Sequence, residues 1–261
     1  MNCFYHLRAV PLEHLNGANI VLIPKLEVSE HARDFRPVSL VHSFAKLITK
    51  MLAIRLSRNM DKLISPSQNA FVKGWCIHDN FMYVRNLARA YHRAKTPALL
   101  FKLDISKALD TVSWDYILEM MEHRGFSVKW RNWISLLLST SHSTVLLNGT
   151  VGEKIRHACE LRQGDPLSPY LFILAIDALQ KVLELATQDG ILSPLWGRYA
   201  KIRLSLYADV VVIFLNPDQQ EVSSLLNILT KFGEATGLKL NGNCSGTPQL
   251  ENYTYLKELP N

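Results

Sequence analysis

Two aspartates that interrupt apolar runs are the residues best suited to chemistry. Asp104 lies near the C-terminal end of the run Ala98–Ser106, and Asp209 lies in the middle of Ile202–Leu215. An unpaired buried charge is costly, so each carboxylate must be hydrogen-bonded at a turn or face a cation. Carboxylates on neighbouring strands suit Mg²⁺, and two such ions about 4 Å apart can clamp a phosphoryl displacement. Two unrelated turn caps explain the same residues, and spacing alone leaves both interpretations open.

The elements in the first part of the chain are predicted from the spacing of apolar residues. Residues 18–30 predict a short strand that leads into a polar turn. Apolar residues at intervals of three and four predict a helix over Ser43–Ser65, which Pro66 ends. A second helix follows, with Asp79 as its N-cap.

From Ala98 onward the predicted order is strand, helices, hairpin, helix, hairpin, helix. The first hairpin uses residues 153–164 as its second strand, and Gly237 ends the last helix. This order indicates an α+β fold, with an antiparallel sheet and helices packed on one face. Asp104 and Asp209 then lie on or beside two strands of one sheet.

Composition and charge narrow the class of protein. The chain has 261 residues, with 48% hydrophobic and 20% charged residues, which is typical of a globular protein. The net charge of +6 favours an anionic partner such as nucleic acid. The four cysteines show no CxxC spacing, which argues against a zinc site or a disulfide framework. Without an apolar signal-peptide core or a membrane-length apolar run, we expect an intracellular chain, cytoplasmic or nuclear and not secreted, with no membrane partner.

The stretch "LRQGDPLSP", residues 161–169, is the second place where chemistry is expected. The backbone at Gly164 could approach a ligand closely, and Arg162 and Gln163 could bind phosphate or base edges. A plain strand-to-helix turn is the alternative, for which Asp165 and the residues after it are well suited. Both interpretations can hold together.

Several motifs resemble those of one enzyme family, in order and at plausible spacing from about Ala18 to Asn241. "FKLDISKALDTVSWDYI", "LRQGDPLSPYLF" and "SLYADVVVIF" resemble the palm motifs of reverse transcriptases of plant-type LINE (non-LTR) retrotransposons. "LIPK", "DFRPVSL" and "SQNAFVKGWCIHDNF" resemble fingers segments of that family, and "FGEATGLKLN" its next palm motif. The resemblance implies a polymerase right-hand fold with fingers and palm and an antiparallel palm sheet.

The resemblance also assigns roles to single residues of this chain. Asp104 and Asp209 would be carboxylate ligands of two Mg²⁺ ions, with the Ile105 carbonyl beside them in the metal and nucleotide site. The remaining nucleotide-binding positions would be basic fingers residues for the triphosphate, a sugar-facing position and a loop that contacts template and nucleotide: Lys25, Arg36, Leu109, Gln163 and Gly164. The implied partners are an RNA template, a DNA primer and deoxynucleoside triphosphates, and the motifs predict no oligomeric state.

Four positions depart from the family pattern. The family's Tyr-Ala-Asp-Asp turn ends in Val210 here, and the aromatic residue five positions after the first aspartate is Leu109. Trp75 replaces a usual arginine, and Cys244 replaces a lysine. We therefore expect a reverse transcriptase whose catalysis is impaired. A nucleic-acid-binding remnant without turnover, or an unstable pseudogene fragment, is the alternative.

The resemblance also predicts a division of the chain. Residues 1–97 would be an N-terminal segment and the fingers, and residues 98–245 the palm with part of the fingers. Residues 246–261 would be a tail that retains part of the primer-grip region. A thumb is expected to be absent.

Overall fold

The computed structural model describes residues 4, 12–25, 27, 30–31, 34–68, 70, 74, 77–106, 108–197, 202–208, 210–241 and 253–255. Within these ranges the helices are α1 (Leu12–Leu15), α2 (Ser43–Ser57), α3 (Met60–Leu63), α4 (Ile77–Arg93), α5 (Ala108–Thr111), α6 (Trp114–His123), α7 (Val128–Ser139), α8 (Ser168–Gln188) and α9 (Gln219–Thr236). The strands are β1 (Gly17–Pro24), β2 (Phe35–Val41), β3 (Leu99–Ser106), β4 (His142–Leu147), β5 (Thr150–Arg156), β6 (Leu204–Tyr207), β7 (Val210–Leu215), β8 (Lys239–Asn241) and β9 (Tyr253–Tyr255).

The chain forms two compact units, each built from two separate segments. Unit 1 comprises Met1–Leu56 and Leu109–Leu171, and unit 2 comprises Ser57–Ala108 and Phe172–Asn261. Each unit contains its own sheet. These two units are not the predicted division into fingers, palm and tail, which stays a prediction.

The sheet of unit 1 has the strand order β2-β1-β4-β5. β1 pairs with β4 in parallel, starting at Gly17 opposite His142, while the two outer pairs are antiparallel. The expectation of one antiparallel sheet was therefore incomplete, because the β4–β5 hairpin lies in a different sheet from Asp104. A parallel partner far away in sequence has no local signal that a residue pattern could reveal.

The sheet of unit 2 is antiparallel and has the order β6-β7-β3-β8, with β9 also pairing with β3. One face packs against α4, where Tyr91 stacks on Phe214 with ring centroids 6.3 Å apart. The side chains of Phe101, Leu103 and Ile105 on β3 are buried. This mixed α and β architecture with helices against antiparallel strands confirms the predicted α+β fold class.

The helices and strands lie largely where the sequence predicts, with three differences. The helix predicted over Ser43–Ser65 ends at Ser57, and a short turn of helix follows as α3. Asp79 lies inside the first turn of α4 and is not its N-cap. The strand predicted over residues 153–164 ends at Arg156, and an irregular loop continues to α8. The end of α9 at Gly237 is confirmed, with the φ of 77° that favours glycine.

No helix among the described residues is long and apolar enough to cross a membrane.

Candidate active site

The strand that carries Asp104 lies beside the hairpin formed by β6 and β7. Asp104 is opposite Val210 in the antiparallel pairing of β3 with β7, and Val210 is opposite Tyr207 within the hairpin. Only Ala208 and Asp209 connect the two hairpin strands. Asp209 lies outside the described residues, but its sequence neighbour Val210 is the residue paired with Asp104. Unit 2 therefore brings the backbones of the two carboxylate-bearing segments together.

Residues on either side of these aspartates contribute differently. The side chain of Ile105 is buried, which leaves its backbone carbonyl as the group that the resemblance assigns to the site. Val210 is half-buried and offers no oxygen or nitrogen in its side chain to a cation. The strand position directly across from Asp104 thus carries no carboxylate.

The first strand of this hairpin is held in place from two sides. The backbone N–H of Leu206 donates to the Ser67 carbonyl at 2.8 Å, and the Asn80 side chain donates to the Leu206 carbonyl. Arg203, the residue just before this strand, donates to the Glu221 carboxylate at 2.8 Å, and both of these side chains are buried. These contacts position the hairpin by backbone pairing and by a buried ion pair.

Unit 1 presents the residues that the resemblance assigns to the triphosphate. Lys25 follows β1, where its backbone N–H donates to the Asp34 carbonyl at 2.8 Å. Arg36 lies on β2 opposite Ile23, and the residues Lys25 and Arg36 are both exposed. The β1–β2 hairpin therefore carries two exposed cations near its connecting loop, an arrangement able to bind an anionic ligand.

The turn at Gln163 and Gly164 is exposed, whereas the residues on each side of it are buried. Gln163 donates to the Asp110 carboxylate at 3.1 Å, and the carbonyl of Leu109 accepts from the Leu161 N–H at 2.6 Å. Gly164 has a φ of 88°, which only glycine adopts without strain. Unit 1 therefore brings Gln163 and Gly164 next to α5, which carries the half-buried Leu109.

Arg162 does not fit the expectation that it binds phosphate or base edges. Its side chain is 9% exposed and donates to Asn16 and to the His142 carbonyl within unit 1. Burial lowers the pKa of this guanidinium from its usual value, a sign of a desolvated cation. Arg162 is therefore part of the scaffold of the turn.

Asp165 closes the turn on its other side. Its carboxylate accepts from the Leu167 N–H at 2.7 Å, just before the start of α8. It also accepts from the hydroxyl of Thr49 on α2. Burial is the main cause that raises the pKa of Asp165 above its usual value, and these hydrogen bonds oppose the rise. The expectation that Asp165 serves the strand-to-helix turn is confirmed.

The described residues leave out some predicted positions and include others whose roles were not predicted. Trp75 and Cys244, like Asp209, lie outside the described residues. Among the described residues no cluster of three or more His, Cys, Asp or Glu could hold a metal ion. Sequence analysis missed Asn16, the acceptor of Arg162, for which a lone asparagine gives no signal. It also missed the scaffold role of Asp177, which interrupts an apolar run and accepts from Ser65 at 2.8 Å.

Comparisons with known proteins point to one enzyme family. The family model described as "Reverse transcriptase (RNA-dependent DNA polymerase)" matches residues 23–249. The Transposon TX1 uncharacterized 149 kDa protein of Xenopus laevis is 26% identical over 196 residues, 75% of this chain and 15% of that protein. The Retrovirus-related Pol polyprotein from type-2 retrotransposable element R2DM of Drosophila melanogaster is 27% identical over 226 residues, 86% of this chain and 20% of that protein.

Solved structures share the fold at low sequence identity. Telomerase from Candida tropicalis, in a complex with a fragment of telomeric RNA, superposes with a TM-score of 0.61 at 11% identity, over 92% of this chain and 41% of that chain. Telomerase from Candida albicans in a similar complex gives 0.54 at 12% identity, over 88% and 41%. These likenesses confirm the predicted polymerase right-hand fold. Since the family match spans most of its length, the chain belongs to the reverse transcriptase (RNA-dependent DNA polymerase) family.

Proposed function

We propose that this chain is the catalytic core segment of a retrotransposon reverse transcriptase, and that its site is built for RNA-templated DNA synthesis. The strand register carries the proposal, because Asp104 lies opposite Val210, the residue that follows Asp209. A primer 3′-hydroxyl would attack the α-phosphate of a deoxynucleoside triphosphate, and pyrophosphate would leave. Template RNA, DNA primer and deoxynucleoside triphosphates are the proposed partners.

The donor set fits one Mg²⁺ ion better than two. Asp104, Asp209 and the Ile105 carbonyl would hold an ion whose remaining ligands are waters and substrate phosphates. Bound Mg²⁺ supplies charge stabilisation to the phosphoryl group in the transition state. Val210 offers no ligand to a second ion, and a loss of ~4 kcal/mol of transition-state stabilisation would slow the reaction about a thousandfold. We therefore propose that this chain is catalytically impaired.

The other residues that the resemblance assigns would bind and orient the nucleotide. Lys25 and Arg36 would hold the triphosphate, the lysine as a point charge and the arginine as a fork of donors. The exposed pair Gln163 and Gly164 would contact template and nucleotide through an amide and an accessible backbone. Leu109 would lie near the sugar, so we propose that discrimination against a 2′-hydroxyl is weakened.

A second candidate function is nucleic-acid binding without turnover. Two observations favour it: the side chain of Val210 offers no oxygen ligand, and the cations Lys25 and Arg36 on the β1–β2 hairpin are exposed. In that case the protein would bind an RNA–DNA duplex through charge and would lose affinity steeply as salt rises.

Primer extension on an RNA template with Mg²⁺ separates the two functions. The unaltered chain, Val210→Asp and the neutral control Val210→Asn should each be assayed alone and fused to the thumb of an active reverse transcriptase. We expect Val210→Asp to raise the extension rate of the fusion about a thousandfold. Val210→Asn should stay near the unaltered level, since an amide restores shape but no charge.

The outcomes point to different conclusions. Extension by the unaltered chain at the rescued rate would refute the proposed impairment. Duplex binding without extension by any variant would favour the binding function. A chain that neither extends nor binds would contradict both.

A further inference from the structure

The loop between β5 and α8 has no regular secondary structure, yet it carries the Gln163–Gly164 turn. Its backbone polar groups cannot be paired by a helix or a sheet and need other partners. His157 bonds the Ser143 hydroxyl at 2.8 Å and the Glu160 carboxylate at 2.5 Å, and the Glu160 carbonyl accepts from the Trp114 indole at 2.7 Å. The loop before the turn is thus anchored to β4 and α6.

Arg162 makes the contacts closest to the turn. Its Nη1 donates to the Asn16 side-chain oxygen at 2.8 Å, and its Nη2 donates to the carbonyls of Asn16 and, at 3.2 Å, His142. Asn16 and His142 stand where the parallel β1–β4 pair begins, since Gly17 is the first residue of that pairing. One guanidinium therefore ties the turn to both strands at once.

Asn16 is itself held by hydrogen bonds, so it is a rigid partner for Arg162. It is 2% exposed, and its side-chain amide donates to the Leu137 carbonyl at 2.6 Å and to the Thr140 hydroxyl at 2.9 Å. Its oxygen is then left to accept from Arg162. The arrangement uses the planar fork of an arginine, because the ammonium of a lysine cannot reach the same acceptors in one plane.

We propose that Arg162 is a positioning residue, which fixes the exposed Gln163–Gly164 turn to the start of β1 and β4 and contacts neither nucleic acid nor nucleotide. The step from a fixed turn to ligand binding rests on the proposed function, in which Gln163 and Gly164 contact template and nucleotide. β1 leads to Lys25, so the same contact sets the turn relative to the strand that presents a proposed triphosphate ligand.

Hydrogen exchange tests the positioning without any ligand. The amides of Leu161 and Leu167 donate to Leu109 and Asp165, and they report on the two sides of the turn. In Arg162→Met we expect these amides to exchange about tenfold faster, with amides of unit 2 unchanged. The matched control is Arg156→Met, which removes an arginine that is 79% exposed and paired with Glu13, and it should leave both amides unchanged. Unchanged exchange in Arg162→Met would overturn the proposal.

Two milder variants test the same contact in case Arg162→Met does not fold. Arg162→Lys keeps the charge and Asn16→Ser keeps the backbone acceptor, and each removes part of the contact. Both should accelerate exchange at the same amides by less than Arg162→Met does. Exchange at the wild-type rate in both variants would overturn the proposal.

Binding of an RNA–DNA primer–template duplex over a range of NaCl concentrations separates positioning from direct contact. We expect Arg162→Met to weaken binding about tenfold with an unchanged salt slope, because it loses no phosphate contact. Combination with Gln163→Ala should cost less than the sum of the single changes, since both act through one turn. A salt slope reduced by about 1 would mean that Arg162 touches phosphate and would refute the proposal.

The proposed function and this inference fail in different ways. If the unaltered chain binds no duplex while the exchange result appears as expected, the proposed function fails and the positioning of the turn stands. If Gln163→Ala weakens duplex binding while Arg162→Met changes neither binding nor exchange, the inference fails and the proposed function stands.

Discussion

Each unit contains one β-hairpin with a two-residue connection, and the two connections use different residues. In unit 1, Asn148 and Gly149 join β4 to β5 with φ angles of 51° and 80°. In unit 2, Ala208 begins the connection between β6 and β7 with a φ of 52°. Asparagine and glycine adopt such left-handed angles readily, whereas they cost alanine about 1–2 kcal/mol. The unstrained hairpin carries none of the proposed metal ligands, whereas the connection of the strained one includes Asp209.

The surroundings of the two hairpins explain how the strained one persists. β5 is an edge strand that is exposed at every residue, so its connection must favour the turn by itself. β7 lies between β6 and β3, and its pairing on both sides restrains the connection. Strand pairing can therefore impose a turn that its own residue types do not favour.

The largest expected effect comes from breaking the ion pair that holds β6. Glu221→Gln leaves the buried Arg203 guanidinium without its carboxylate and should cost about 3–5 kcal/mol, measured as a lower midpoint of urea unfolding. The double variant Arg203→Met, Glu221→Leu should recover most of this loss, because no uncompensated charge remains. A cost below about 1 kcal/mol for Glu221→Gln would mean that strand pairing alone holds the hairpin.

The second-largest expected effect is the dependence of Mg²⁺ stabilisation on residue 210 of the β6–β7 hairpin. Val210→Asp places a third carboxylate beside Asp104 and Asp209, so Mg²⁺ at 100 times its dissociation constant should raise the unfolding free energy by about 2.7 kcal/mol. At the same Mg²⁺ concentration, the unfolding free energy of Val210→Asn and of the unaltered chain should rise by less. Thermal unfolding with Mg²⁺ and after its removal by a chelator measures the difference. Equal gains in all three proteins would show that residue 210 does not face the ion.

Local patterns in the sequence predicted much of the fold around both hairpins. Apolar periodicity predicted the helix that begins at Ser43, and Gly237 marked the end of α9, because these signals act between residues close in sequence. The parallel pairing of β1 with β4 could not be predicted in this way, since its partners are 125 residues apart, as Gly17 and His142 illustrate. Tertiary pairing of this kind leaves no periodic trace in either strand.

Residue types alone could not distinguish the exposed from the buried residues of the turn before α8. Gln163 and Gly164 are exposed as a ligand-contacting turn requires. Arg162, the residue before them, has the positive charge that binding of a phosphate would require, and its residue type gave no indication that it is buried. The acceptors at Asn16 and His142 that decide its role are brought to it only by the fold.

The unstrained hairpin should be sensitive to its glycine. Gly149→Ala keeps a φ of 80° with a Cβ present and should cost about 1–2 kcal/mol in the free energy of unfolding. No atom lies within 4 Å of the new Cβ, so the cost is conformational and not steric. Asn148→Ala reproduces at this turn the residue type found at Ala208 and should cost less than Gly149→Ala. If neither change lowers the urea midpoint, the Asn-Gly connection does not stabilise this edge hairpin.

The smallest expected effect is a gain in stability at the strained turn. Ala208→Gly removes the Cβ that opposes a φ of 52° and should raise the unfolding free energy by up to about 1 kcal/mol, after the extra entropy of glycine in the unfolded chain is deducted. Ala90→Gly, the same substitution inside α4, should instead cost about 1 kcal/mol, because glycine disfavours helix interiors. Opposite signs in paired urea titrations would establish that Ala208 is strained in the folded protein. A cost at both positions would mean that strand pairing has relaxed the turn, and the contrast between the two hairpins would then rest on their edge and interior positions alone.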